Sequence, residues 1–207
     1  MPAVISPAEL TVHALSADTW PAFAALVERH GGIFGGCWCT WFHTVVKDPD
    51  RTYESNRELK CGLVEQGRAH AALVFDGEEA VAWAEYGPPE ELPNLHHRAE
   101  YEAGLLTPPD YRVTCIFVDR RYRRRGLAAL ALQGALDFIA EAGGGVVEGY
   151  PHDMAKQPQG KKMSASFLYN GTRRMYEAAG FTHNRPKGLK NTVMTRTVAA
   201  RPPVDRP

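Results

Sequence analysis

The chain has no excess of charge of either sign. In 207 residues, 24 Lys and Arg stand against 24 Asp and Glu, so nothing draws the whole molecule to nucleic acid or to an anionic bilayer. A basic site must therefore be local. No apolar run reaches the roughly 20 residues that cross a membrane, and the opening MPAVISPAEL lacks the charged and long apolar regions of a secretion signal; a cytoplasmic protein is expected. Cysteine is scarce. Of Cys37, Cys39, Cys61 and Cys115, the first two are one residue too close for a zinc knuckle and no second pair follows at ligand spacing, so no metal is expected and the thiols read as reduced and partly buried. The G-x-x-x-x-G-K-[ST] phosphate loop is missing, and Gly143-Gly144-Gly145 lies at a helix end before a strand, the wrong side for a dinucleotide fingerprint. There is no internal repeat.

What is present is 44% hydrophobic residues, enough for one core, read as a single domain over 1–198 with a Pro/Arg tail at 199–207 that is expected to be disordered. Leu10 to Leu15 reads as a strand, followed by a helix capped by Ser16 or Asp18 and ending at Gly31-Gly32, with Trp20, Phe23, Leu26 and Val27 on one face. Gly35 to His43 is dense in aromatic and sulfur side chains without a period, which suits a packed loop or a short helix. A second helix is expected between Asp50 and Gln66, closed by Gly67. Asp76-Gly77 between Ala69–Phe75 and Ala80–Tyr86 predicts a hairpin. Residues 87–110, with five prolines, read as an irregular loop, either an acceptor-site wall or a plain surface insertion.

Arg112 to Val118 reads as a buried strand, and Leu127 to Ile139 as a helix ended by the three glycines. A strand at Val146 to Tyr150 completes a right-handed crossover, so the class is α/β (α+β). A polar loop at Pro151 to Lys162 follows, then a helix from Arg173 to Ala179 capped by Thr172 and closed by Gly180, and a last strand near Val193 to Val198.

The most telling stretch joins the buried strand to the long helix: Val118-Asp119-Arg120-Arg121-Tyr122-Arg123-Arg124-Arg125-Gly126-Leu127-Ala128. A helix start exposes unpaired N–H groups and about half a positive charge, so it attracts anions. Gly126 removes the Cβ that would hold a phosphate away, Ala128 and Ala129 keep the first turn open, and five arginines add guanidinium donors. A solvated basic turn paired to Asp119 is the plainer alternative.

At these residues the chain resembles the GCN5-related N-acetyltransferase (GNAT) family. The family's [Q/R]-x-x-G-x-[G/A] signature stands as Arg123-Arg124-Arg125-Gly126-Leu127-Ala128 behind the strand Cys115 to Val118, and its later Y-x-x-x-G-F as Tyr176-Glu177-Ala178-Ala179-Gly180-Phe181. The resemblance spans about Leu10 to Thr197. It implies one mixed, strongly twisted sheet of six to seven strands flanked by helices, with splayed central parallel strands, and direct transfer of acetyl from acetyl-CoA to a small-molecule or peptide amine. The main chain at Phe117 and Val118 would pair with the pantetheine arm and polarise the thioester, and Arg123, Arg124, Arg125, Gly126, Leu127, Ala128 and Ala129 would hold the pyrophosphate. No nucleic acid or membrane partner is expected, and a homodimer is compatible with the resemblance.

Tyr176 matches the family's general acid, and Glu85, near a hairpin strand end, is the first choice of base, with Glu148, His152 and Asp153 as the alternative set. Asn170 lies near the family's cofactor-bonding asparagine, with a spacing to Tyr176 one residue short. An acetyl-cysteine relay through Cys37, Cys39 or Cys115 lacks an adjacent base. The competing reading of the whole is a GNAT-fold module that binds acyl-CoA without turnover.

Overall fold

The sheet grows outward from the hairpin at Asp76-Gly77. In the computed structural model, which describes residues 10–45, 51–156 and 168–204, β2 (His70–Asp76) and β3 (Glu79–Gly87) pair antiparallel across that turn. β1 (Leu10–Ala14) joins β2, and β4 (Tyr111–Val118) joins β3, both antiparallel. β5 (Gly145–Gly149) runs parallel to β4, and β6 (Thr182–Lys187) and β7 (Asn191–Val198) complete seven strands in the order β1-β2-β3-β4-β5-β7-β6. The expected mixed sheet is thus present.

Helices cover both faces. α1 (Trp20–Glu28) and α2 (Tyr53–Glu65) lie on one, where Phe23, Leu26, Val27 and Val64 pack against Leu73, Trp83 and Phe117. The Thr52 hydroxyl accepts the Ser55 N–H while Ser55 Oγ accepts the Thr52 N–H, a reciprocal cap that starts α2 three residues later than Asp50. α4 (Leu127–Glu141) crosses the other face, burying Leu127, Ala131, Leu132, Ala135, Leu136 and Ile139 over β2 to β4; α5 (Arg173–Ala178) follows it there. Among the described residues no helix is long and apolar enough to cross a membrane.

Three features differ from expectation. The 87–110 segment is not wholly irregular: α3 (Arg98–Ala103) forms inside it, and Leu92, Leu95 and Tyr101 are buried. β6 forms although its sequence, THNRPK, has no apolar alternation, because as an edge strand it can carry Pro186 on its open side. Within the tail, the Arg201 N–H donates to the Ala140 carbonyl at 2.9 Å and its guanidinium pairs with Asp137 and Glu141. Most of the polar loop expected at Pro151 to Lys162 falls on 157–167, outside the described residues.

Two irregularities in the sheet shape the site. Tyr86 faces Val113 while Ala84 faces Ile116, so Glu85 is opposed by both Thr114 and Cys115. This bulge turns both onto the α1/α2 side with Glu85. β4 and β5 pair only over Tyr111–Val113 and Val147–Gly149 and then part. The fully buried Tyr176 ring packs where they separate: a Cβ on Gly149 would lie 2.0 Å from its Cε1. Gly149→Ala is expected to cost about 1–3 kcal/mol through overpacking, read as a lower midpoint in thermal unfolding; an unchanged midpoint would show that the ring moves freely.

Candidate functional site

Asp119 builds the turn that follows β4. Its carboxylate, 1% exposed, accepts the Arg121 N–H at 2.9 Å and guanidinium at 2.8 Å, and lies 3.3 Å from His30 Nε2. Burial opposes its charge, but the bonds from Arg121 and His30 outweigh burial and hold the carboxyl well below the usual range. The chain then makes a 3-10 turn at Arg120–Tyr122, passes Arg124 at φ +62° and Gly126 at φ +85°, and enters α4. Among the described residues no side chain caps α4, and the Ala129 and Leu130 N–H groups bond back to the Gly126 carbonyl at 3.0 and 3.1 Å. The Leu127 and Ala128 N–H groups precede them, at the positive end of a 15-residue helix.

A cavity of about 550 Å³ opens in front of that helix end. Of the nine residues expected to hold a cofactor, Phe117, Val118, Arg123, Arg124, Gly126, Leu127 and Ala128 line it; Arg125 and Ala129 do not. Arg125 instead lies over the Tyr122 ring at 5.6 Å, and the Ala129 N–H is spent inside the helix. Arg121 is committed to Asp119 and Glu79. The arginines that line the cavity are Arg120, Arg123 and Arg124.

Strand alternation decides which β4 main-chain groups face the splay. The Asp119 N–H donates to the Val81 carbonyl across β3, which turns Phe117 towards β3 as well. Ile116 and Val118 face the other way, and the Ile116 N–H donates to the Tyr169 carbonyl at 2.6 Å. Of the two main-chain positions expected to meet the thioester, Phe117 faces β3 and Val118 faces the splay.

An open helix start, a basic cavity and parted parallel strands meet at one place, and residues 22–150 match the profile of the Acetyltransferase (GNAT) family, more than half of the chain. The chain belongs to the GNAT family. A GNAT-family structure from Desulfovibrio desulfuricans superposes with TM-score 0.51 at 16% identity, covering 92% of this chain and 99% of that one. The ribosomal-protein-S5-alanine acetyltransferase of Vibrio fischeri gives 0.50 at 10%, covering 94% and 96%. At such identities the likeness is one of fold. No curated protein matches the chain.

Neither expected proton handler of this GNAT chain lines the cavity. The Tyr176 hydroxyl is buried with no hydrogen-bond partner among the described residues, and burial, with Cys115 nearby, pushes it well above an ordinary tyrosine. Glu85, 1% exposed, accepts the Lys60 ammonium at 2.5 Å on Oε1 and the Thr114 hydroxyl at 2.8 Å on Oε2. His43 Nδ1 donates to the Glu91 carbonyl at 2.8 Å, which places Nε2 3.1 Å from Lys60 Nζ and 3.2 Å from Glu85. Burial alone would raise the Glu85 pKa; Lys60 and His43 outweigh it and hold it down at about 2. That suits Glu85 to anchoring the bulge more than to taking a proton near neutrality.

The alternative set is also committed. Glu148 Oε2 accepts the Tyr101 and Tyr150 hydroxyls at 2.7 and 3.0 Å, Asp153 pairs with Arg173 at 3.3 Å, and His152 is buried, its pKa lowered by burial and Lys190. The Asn170 Oδ1 is buried without a hydrogen-bond partner among the described residues. Cys39 and Cys115 are buried free thiols in contact, their Sγ atoms 2.7 Å apart, while Cys37 and Cys61 are half-buried. Among the described residues no group of three or more His, Cys, Asp and Glu could hold a metal ion.

Sequence reading missed Lys60, His43 and Thr114, and it left the aromatic block without a role. A signal for Lys60 was there: Asn56, Lys60 and Val64 form the buried i, i+4, i+8 stripe of α2, and a helix that turns a lysine inward needs a buried carboxylate to meet it. The chain curls through Ile33 and Phe34 just before the block and Trp38 and Cys39 within it, all at positive φ, and brings Phe34, Phe42 and, through His96, Trp41 around Tyr169.

Proposed function

We propose that this GNAT chain transfers the acetyl group of acetyl-CoA directly to the primary amine of a small molecule or peptide. The observation that carries the reading is the uncapped start of α4, open in front of Gly126 and faced by Arg120, Arg123 and Arg124. The Leu127 and Ala128 N–H groups would hold the pyrophosphate, with the guanidinium groups on its remaining oxygens. The Val118 N–H, turned towards the splay, would bond the thioester oxygen as negative charge develops there. The neutral amine's lone pair attacks the carbonyl carbon to form the C–N bond, the C–S bond breaks, the nitrogen releases one proton to solvent, and the departing thiolate takes up one proton. Tyr176, matched by its motif and packed where β4 and β5 part, is the proposed donor of that proton, though burial makes its phenol a weaker acid than an ordinary tyrosine. Glu85 fixes the bulged strand through Thr114.

Acetyl-CoA is expected to raise the melting temperature, and a thiol-release assay across an amine panel to find an acceptor. Tyr176→Phe is expected to leave folding stability unchanged or slightly higher, since an unpaired buried hydroxyl is lost, while lowering kcat about a hundredfold. A kcat equal to wild type would remove the acid role. A second reading, acyl-CoA binding without turnover, is favoured by one observation: neither Glu85 nor Tyr176 lines the cavity. Stabilisation by acetyl-CoA with no thiol release on any amine would decide for it.

A further inference from the structure

A turn of the chain itself lies between the parted ends of β4 and β5. At residues 168–171 the Gly171 N–H donates to the Leu168 carbonyl at 2.8 Å, and Gly171 takes φ +73°. The Tyr169 carbonyl accepts the Ile116 N–H, the β4 donor that strand alternation turns into the splay. The ring of Tyr169 is seated among Phe34, Phe42 and His96, with centroids 6.1, 6.2 and 5.8 Å away, and His96 stacks on Trp41 at 3.9 Å. Leu168 and Gly171 line the cavity in front of α4, so its open part covers the helix start and this turn bounds it.

Acetyl-CoA would ask two things of this groove. Its phosphates need the helix start, which is open, whereas the amides of its arm need unpaired β4 backbone, and at Ile116 that backbone already has a partner. We propose that the 168–171 turn is a built-in competitor for the arm. The resting chain is self-occluded: the nucleotide end can dock, and the arm enters only by taking Ile116 from the Tyr169 carbonyl and lifting the Tyr169 ring from its aromatic seat. This rests on the acetyl-CoA reading above. A ligand that binds only the open form has its apparent affinity reduced by the open fraction, and one main-chain bond with three ring contacts is enough to make that fraction about a tenth. The turn therefore discriminates between ligands with and without an arm.

Calorimetric titration of the full chain and of Tyr169→Ala and Tyr169→Phe, with acetyl-CoA and with its 3′-phosphoadenosine 5′-diphosphate fragment, tests this. Tyr169→Ala is expected to bind acetyl-CoA about tenfold tighter and the fragment within about twofold of wild type, with Tyr169→Phe near wild type for both. Equal or weaker binding of acetyl-CoA by Tyr169→Ala, with the fragment unaffected, overturns the competitor. Failure of all three proteins to bind either ligand overturns the acetyl-CoA reading and the competitor with it. Hydrogen exchange on the wild type serves if Tyr169→Ala does not fold. Saturating acetyl-CoA, and not the fragment, is expected to speed exchange at the Gly171 amide; slower exchange there would overturn the proposal.

Discussion

Gly126→Glu is expected to weaken binding of acetyl-CoA by a hundredfold or more while the chain still folds. Two effects add. A carboxylate is placed at the helix end that would receive the pyrophosphate, so like charges meet where donors were, and the new side chain fills the approach to the Leu127 and Ala128 N–H groups. The folded state suffers far less. A Cβ at this position meets nothing within 4 Å, and the cost is that of a non-glycine residue at φ +85°, about 1–2 kcal/mol, or a few degrees of melting temperature for a domain of this size. Gly126→Ala separates the two contributions, since it carries the same backbone strain without the charge, and is expected to lose no more than about tenfold. Titration calorimetry with acetyl-CoA, with thermal unfolding of each variant, reads both. Affinity unchanged in Gly126→Glu would mean that the helix start is not the phosphate site.

The half of the site built from backbone was legible in the sequence. Gly126 after a basic turn, an apolar strand before it and a helical period after it are local patterns, and local patterns survive translation into structure. Asp76-Gly77 fixed the hairpin in the same way. What could not be read depends on contacts made across the fold. α3 has no N-cap side chain and opens at His97 with φ +55°; its burial turns on Tyr101, whose hydroxyl reaches Glu148, 47 residues away. β6 is a strand only because β7 offers it a ladder. Glu85 was picked out by its place near a strand end, yet its chemistry is set by Lys60 and His43, which come from α2 and from the turn after α1. Tyr176 could be identified by its motif, whereas the lack of a partner for its hydroxyl among the described residues is a property of packing.

The Lys60–Glu85 pair carries the largest expected effect on stability. Both side chains are 1% exposed and 2.5 Å apart, so Lys60→Met leaves a buried carboxylate with only His43 and Thr114 for company. Breaking a buried pair from one side costs about 3–5 kcal/mol, which for a domain of this size is on the order of 10 °C in melting temperature. The double variant Lys60→Met with Glu85→Gln is expected to recover much of that loss, because no unpaired charge remains. Urea unfolding of the two variants measures the difference, and a loss below about 1 kcal/mol in Lys60→Met would show that the pair does not form. The pH dependence has a definite sign. Glu85 is held at about 2 in the fold against an ordinary 4.5, so its contribution is complete above about pH 4.5 and is lost as the pH falls towards 2. The share at stake is about 3 kcal/mol, and Glu85→Gln is expected to flatten the stability curve across that window. Since Glu85 also accepts from Thr114 in the bulge beside Ile116, releasing it loosens the strand that faces the splay, and weaker acetyl-CoA binding is expected to accompany the loss of stability.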